Sequence, residues 1–364
     1  MVKNVYLRTQ IRLFLVTMAY EVTIGIPVYN VEKYIRSSLE SALAQTFRSI
    51  EFLICDDCGT DSSMEIVKGY QTTHSRGADI RIVRQPHNMG LGEARNRLIA
   101  EAKGKYIYFM DSDDVIVTNA IELLYSNAIR NNADIVYGSM DKLLTYENDR
   151  RFHYRSYPTV AFLKENEFAN YVYRTYDGIQ ASTCNFLINL DVYRKNGLKY
   201  KAINYWEDFT TTMDLPTYID RAVLLSDMTY LYICREGTMS NYQKRDSISK
   251  NEIVKTMDAI SEIKSKTDRL RGKPYFSRRC YKLMMTCFFI NCTILKDIDL
   301  IQPSFTNKEI RDFMKSPMNF SEILMSKANR TSNLFLYVLG NLPPFLTVKI
   351  IEFVGKRKGL INKK

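Results

Sequence analysis

The sequence predicts an α/β fold: a mostly parallel sheet with helices on both faces, followed by a mainly helical C-terminal region. Two observations carry this expectation. Short apolar runs alternate with stretches of helical spacing from residue 22 to about 138. Each polar cluster follows directly on an apolar run, at the strand ends where an open parallel sheet binds its ligands.

Taken in order, 22–26 (Val-Thr-Ile-Gly-Ile) reads as a strand, and Val31, Tyr34, Ile35, Leu39, Ala42 and Leu43 then recur at helical spacing. Residues 50–55 form the second strand and 61–73 the second helix. Residues 79–84 form a third strand, followed by a helix over 91–103 that Gly104 ends. A fourth strand covers 105–110, a helix 119–131 and a fifth strand 133–137. Residues 139–250 are less regular and rich in Tyr, with a strand at 184–189, a helix opening at Tyr205-Trp206-Glu207-Asp208-Phe209 and an apolar run over 222–234. Helical periodicity returns from about 251.

Composition bounds the function. The chain has 364 residues, 46% of them apolar, enough for two domains or one enlarged one. Its 15 Gly and 9 Pro exclude a collagen-like chain, and 25 Tyr with 18 Phe exclude a mainly disordered one. Seven cysteines, an odd number on a long chain, argue for a reducing compartment over a secreted disulfide scaffold. The net charge of +11 is uneven. Residues 241–364 hold 24 Lys+Arg against 11 Asp+Glu, whereas 1–240 hold 27 against 29. The basic excess of the last third, including eight Lys/Arg against Asp268 alone between Lys264 and Lys282, suggests an anionic membrane surface as partner. A solvated helical surface or an oligomer contact is the plainer reading. No apolar run reaches the roughly 18–20 residues that span a bilayer. The apolar patch at 11–16 reads less well as a signal peptide than as sequence upstream of a start at Met18.

Four strand-end clusters carry the chemistry: Pro27-Val28-Tyr29-Asn30, Asp56-Asp57, the 88–96 stretch around Gly90, Gly92 and Arg95, and Asp111-Ser112-Asp113-Asp114. Three carboxylates in four residues repel one another and suit a divalent cation, Mg²⁺ or Mn²⁺, shared with a substrate diphosphate. An acidic helix cap is the plainer reading of that loop. Asp57 either caps a helix or accepts the ring N–H of a uracil, and Tyr29 either packs or stacks on that base. Arg95 and the backbone at Gly90 suit phosphate oxygens. Cys55 and Cys58 have zinc-like spacing but no second pair, and the three histidines lack ligand spacing. No Walker loop or G-x-S-x-G turn occurs.

Val22-Thr23-Ile24-Gly25-Ile26-Pro27-Val28-Tyr29-Asn30, Asp56-Asp57, Asn88-x-Gly90 with Ala94-Arg95-Asn96, and Asp111-Ser112-Asp113-Asp114, in that order, resemble a family 2 glycosyltransferase across roughly residues 20–240. The resemblance implies the glycosyltransferase A fold and an inverting, metal-dependent transfer from a UDP-sugar. By it, Pro27, Tyr29 and Asp57 contact uracil and ribose, Asp111 and Ser112 lie near ribose and diphosphate, and Asp113 holds Mn²⁺ or Mg²⁺, with Asp111 beside it. The departure from the family is Cys58-Gly59, where Gly-Ser is usual. Glu207-Asp208 match its downstream acidic pair, which makes Asp208 the general base and Glu207 an acceptor-binding or orienting residue. Tyr232, Arg235 and Ser240 resemble a segment whose basic residue closes over the donor phosphates. The family also implies a saccharide or lipid-linked acceptor, surface polysaccharide or glycolipid synthesis, and a location on the cytoplasmic side of the membrane.

The expected organisation is an extension at 1–20, a catalytic domain at 21–240 (nucleotide half 21–138, acceptor half 139–240) and a basic helical region at 241–364. Two rivals remain. A nucleotidyl- or phosphoryl-transferase would want a Gly-rich first loop, and a membrane-peripheral scaffold leaves the convergent carboxylates unexplained. Carboxylates at the strand ends also argue against a nucleic-acid partner.

Overall fold

The computed structural model describes residues 20–174, 178–203, 206–235 and 246–361. The 11–16 patch, Tyr205 and Ser240 lie outside the described residues.

Strand β1 (Tyr20–Val28) leads to helix α1 (Ile35–Leu43), then β2 (Ile50–Asp56), α2 (Ser63–Thr73), β3 (Ile80–Arg84), α3 (Leu91–Glu101) and β4 (Gly104–Phe109). After β5 (Val115–Ile116) come α4 (Ala120–Asn131), β6 (Ile135–Leu144), β7 (Arg150–Arg155), β8 (Val160–Phe162) and α5 (Glu167–Arg174). Next are β9 (Phe186–Asn189), α6 (Leu190–Asn196), α7 (Glu207–Thr212) and β10 (Ala222–Cys234). The C-terminal region holds α8 (Lys250–Ser265), α9 (Phe276–Lys296), α10 (Asn307–Phe313), α11 (Phe320–Met325), α12 (Arg330–Asn341) and α13 (Pro344–Arg357).

The sheet runs β3-β2-β1-β4-β9-β6-β10-β5, with β7 on β6 and β8 on β10. The period-2 geometry of a strand sends alternate residues to opposite faces. Val22, Ile24, Ile26 and Val28 of β1 join one core, with Leu39 of α1 and Leu124 of α4. Leu53 and Cys55 of β2 and Ile107 and Phe109 of β4 face the other, with Leu98 of α3. On that face β1 presents Gly25, where an added Cβ would lie 3.3 Å from the Leu98 side chain, so α3 packs closely there.

Three features differ from the expectation. Strand β9 enters antiparallel between β4 and β6, in a sheet expected to be mostly parallel. The pairing is non-local, and nothing in the run 184–189 specifies its neighbours. Gly104 does not end α3, which stops at Glu101. It opens β4, where a Cβ would meet the backbone N of Thr23 at 2.5 Å, so contact between strands requires the glycine. Strand β6 continues to Leu144, through the expected 138/139 division, and pairs in parallel with β10.

The C-terminal helices are not a separate body. Leu283 and Cys287 of α9, Leu336 of α12 and Ile351 of α13 belong to the same buried cluster as Leu53 and Phe109. The basic stretch 264–282 is also largely paired within the protein. Lys266 pairs with Glu262 at 2.7 Å, Lys273 with Glu165 at 2.7 Å and Arg279 with Asp214 at 2.5 Å. Arg269 reaches Asp214, Arg271 reaches Asp268 and Glu322, and Lys264 donates to the Phe313 carbonyl. Six of its eight cations thus have partners within the protein. No helix among the described residues is long and apolar enough to cross a membrane.

Candidate active site

The C-terminal ends of β1, β2 and β4 and the loop before α3 converge at one edge of the sheet. Pro27 is buried in β1, beyond the last β4 partner at Gly25, so its missing N–H breaks no ladder bond on that side. Tyr29 follows, 46% exposed. Asn30 takes a left-handed backbone (φ 52°) and its Oδ1 accepts from the Thr60 N–H at 2.8 Å, joining the first two loops. Gly59 is required at that join, because a Cβ there would lie 2.8 Å from Asn30 Oδ1.

Asp57 is buried and ties the second loop to the third, accepting from the Met89 N–H at 2.9 Å and the Gly90 N–H at 3.0 Å. It does not cap a helix, and each oxygen keeps a second lone pair. The family departure at Cys58 now has a physical meaning. Cys58 sits at φ 60°, a conformation that favours glycine, and its N–H donates to Asp56 Oδ1 at 2.9 Å. The loop keeps a glycine-type backbone without the glycine.

The two groups of the third loop expected to meet phosphate both have partners within the protein. The Gly90 N–H already donates to Asp57, with Asn88 Oδ1 at 3.1 Å. Gly92 is small because the Lys201 carbonyl would lie 2.3 Å from its Cβ. Arg95 is 2% exposed and turns away from the surface beneath the cleft. Its guanidinium donates to Asp208 Oδ1 at 2.5 Å, Glu207 Oε1 at 3.3 Å and Asp111 Oδ1 at 3.4 Å. Arg95 is therefore the counter-ion that draws the strand-end and downstream carboxylates together. Its stripe mates on α3, Ala94, Leu98 and Ile99, are buried. A charged residue on an apolar helical face was the sequence signal for an internal partner.

The four residues of the 111–114 loop divide their work. Asp114 is fully buried, accepting from the Tyr230 hydroxyl at 2.7 Å and the Ile233 N–H at 2.7 Å, while its carbonyl accepts from Ser38 at 2.6 Å. It fastens β10 and α1 to the loop. Ser112 is buried beside it. Asp111 and Asp113 remain, each with a side chain 31% exposed. Asp113 faces Arg235 at 3.3 Å, whose guanidinium lies 4.0 Å from the Tyr34 ring centroid. This places Arg235, at the end of β10, over the candidate metal carboxylate.

Helix α7 opens with Glu207 and Asp208 behind Trp206, which is left-handed at φ 68° and 40% exposed. Asp208 Oδ1 also accepts from the buried Thr183 hydroxyl. Its Oδ2 has no partner among the described residues. Burial, then the Asp208 charge, push the Glu207 carboxyl up to about 7 against the pull of Arg95. Burial likewise pushes Asp111 up to about 6, with Arg95 opposing and Asp208 and Asp113 adding. Asp113 is raised by burial, with Arg235 opposing. Against burial, Asp208, Asp111 and Glu207 hold Arg95 charged well above the ordinary range. The site as a whole has a surplus of carboxylates over cations.

Sequence reasoning missed Thr183, Tyr230 and Trp206. Only Trp206 carried a signal, as the one tryptophan of the chain, directly ahead of the acidic pair.

Comparison with known proteins agrees with this geometry. The model of the family "Glycosyl transferase family 2" matches residues 23–197. Glycosyltransferase GlyG of Streptococcus pneumoniae is 36% identical over 34% of this chain and 40% of its own length. The Escherichia coli enzyme WfgD, a UDP-Glc:alpha-D-GlcNAc-diphosphoundecaprenol beta-1,3-glucosyltransferase, is 34% identical over 34% of this chain and 46% of its length. The chain thus spans less than half of each of these relatives. The crystal structure of Staphylococcus aureus TarS residues 1–349 with UDP-GlcNAc superposes with a TM-score of 0.67 over 94% of this chain and 93% of that one, at 18% identity, a likeness of fold. Residues 23–197 are a family 2 glycosyltransferase domain, and the chain that carries them has the glycosyltransferase A fold.

Proposed function

We propose that the protein transfers a sugar from a UDP-sugar to a hydroxyl of a saccharide or lipid-linked acceptor, with inversion at the anomeric carbon. The observation that carries this is Asp208. One of its oxygens is fixed by Arg95 and Thr183, and the other, without a partner among the described residues, is free to take the acceptor proton. Arg95 ties this base to Asp111 on the donor side, so base and leaving-group ends share one rigid support. Glu207, more buried and raised toward neutrality, orients the pair. Trp206 offers an exposed ring beside it for an acceptor sugar.

On the donor side, Tyr29 stacks on the uracil and Asp57 accepts its ring N–H through a lone pair that Met89 and Gly90 leave open, with Pro27 beneath. Asn30, Gly90 and Ser112 shape the loops around ribose and diphosphate. The donor set suits a divalent cation: Asp111 and Asp113 are partly exposed oxygen ligands in a region of negative surplus. Among the described residues no three such side chains converge to hold an ion by themselves. That fits Mg²⁺ or Mn²⁺ completed by diphosphate and water. Bound there, the ion would neutralise charge on the departing diphosphate. Arg235 then exchanges Asp113 for a phosphate oxygen. The names of WfgD and of the TarS complex support a UDP-sugar donor, and WfgD a lipid-linked acceptor.

The test is the stereochemistry of transfer. Incubation with Mn²⁺, UDP-glucose, UDP-galactose or UDP-N-acetylglucosamine and a saccharide or lipid-linked acceptor should give, by proton NMR, a β-linked product from the α-linked donor. An α-linked product would contradict the assignment of Asp208.

A further inference from the structure

The pairing of the 264–282 cations leaves a different part of the basic region available. Residues 327–358 contain six Lys/Arg and one acidic residue, Glu352. None of the six (Lys327, Arg330, Lys349, Lys356, Arg357, Lys358) is paired with a carboxylate among the described residues, and Arg330 donates only to the Ser326 carbonyl.

The same elements leave large apolar side chains uncovered. On α13, Phe345, Lys349 and Phe353 follow one another at i, i+4 and i+8, so they share one face. Phe345 is 52% exposed and Phe353 66%. The opposite face is closed: Thr347, Ile351 and Gly355 are buried, and a Cβ on Gly355 would meet Ile361 at 2.7 Å and Cys292 of α9 at 3.2 Å. On α12 the division repeats, with Phe335 and Val338 exposed and Leu336, Leu339 and Gly340 buried. Leu324 and Met325 end α11 in solvent.

We propose that the outer faces of α11, α12 and α13 dock on an anionic lipid surface, inserting Phe345 and Phe353 among the acyl chains while Lys349 and the 356–358 cations meet the headgroups. The charge selects this occupant. A second copy would set six unpaired cations against six like charges, whereas an anionic leaflet complements them. The interleaving of Phe and Lys fits an interface: Lys349 extends its stem along the Phe345 ring, with the ammonium 6.0 Å from the centroid, and its charge reaches water. The helices lie on the surface and do not cross it. This docking would hold the cleft at the height where a lipid-linked hydroxyl presents itself, but it does not depend on the transfer reading, because binding is read without catalysis.

The experiment is co-sedimentation of the full chain with vesicles of phosphatidylglycerol and phosphatidylcholine, and of phosphatidylcholine alone. Binding is expected to the anionic vesicles, weakening with salt. Lys349→Gln, Arg357→Gln and Lys358→Gln together should weaken it roughly a hundredfold, about fivefold per cation. Phe345→Ser with Phe353→Ser should abolish it, and Lys273→Gln, in the paired stretch, should leave it unchanged. All these side chains are at least partly exposed, so an unchanged melting temperature verifies the fold. Equal binding to both vesicle types, binding that survives the triple variant, or no vesicle binding by a dimer that Phe353→Ser dissociates would each overturn the proposal.

Discussion

Helix α7 is held at both ends by buried arginines, and the two ends are opposites. At its start, one guanidinium, Arg95, serves three carboxylates, Asp111, Glu207 and Asp208. Just past its end, two guanidiniums, Arg279 and Arg269, serve one carboxylate, Asp214, and Arg279 also donates to Thr267 at 2.8 Å. At the rear the one carboxylate is fully served and the pair is closed in, an anchor that ties the C-terminal helices to α7. The front has negative charge to spare and an open side. A fold tolerates such a surplus where a cationic or phosphate-bridging ligand completes it, and buried charge without that completion is costly. The difference separates the residues that hold α7 from those proposed to act.

The largest effect that would sharpen the contrast is at the open end. Asp208→Asn keeps size and the Arg95 contact but cannot take a proton. It should lower kcat by about 10³-fold or more, with UDP affinity within about threefold of the parent in calorimetry. Loss of UDP binding instead would make Asp208 a donor ligand.

Second is the anchor. Arg279→Met leaves Asp214 with only the partly exposed Arg269 and should cost about 3–5 kcal/mol in urea unfolding. A cost below about 1 kcal/mol would show that the rear pair does not hold α7. Arg95→Lys, third, retains the charge but not the fork that spans three carboxylates. It should cut kcat by about 10–100-fold with KM for the donor little changed; a rise in KM alone would restore the phosphate role expected from sequence.

The smallest effect is on pH. Glu207 and Asp111 have folded-state values of about 7 and about 6, above their ordinary 4.5 and 3.8. Between those limits the native state binds more protons than the unfolded one, so stability is fullest at the acidic end and falls as pH rises from about 4 through 7. Without metal or donor, the melting temperature should be a few degrees higher near pH 5 than near pH 8, all else equal, and Glu207→Gln should flatten that slope. A slope unchanged in Glu207→Gln would place the titration elsewhere.

Much of this was legible in the residues. The alternation of apolar runs located β1 to β4, and the polar clusters after each run identified the cleft edge, because both depend on local order. What was not legible depends on long-range placement. The insertion of β9 is set by pairing with strands 50–80 residues away in sequence. Asp113 and Asp114 are chemically identical neighbours, and only the arrival of Tyr230 and Ile233 from β10 makes one a strut and leaves the other open. The 264–282 cations stand almost without counter-ions in one dimension, yet their carboxylates come from as far away as Glu165 and Asp214.

The most direct measurement is UDP titration by calorimetry with and without Mn²⁺, in the parent and in Asp113→Ala. In the parent, Mn²⁺ should tighten UDP binding at least about tenfold, and in Asp113→Ala, folded by circular dichroism, that gain should vanish. Equal gains in the two proteins, or none in the parent, would contradict a cation-bridged diphosphate at the open end of the cleft.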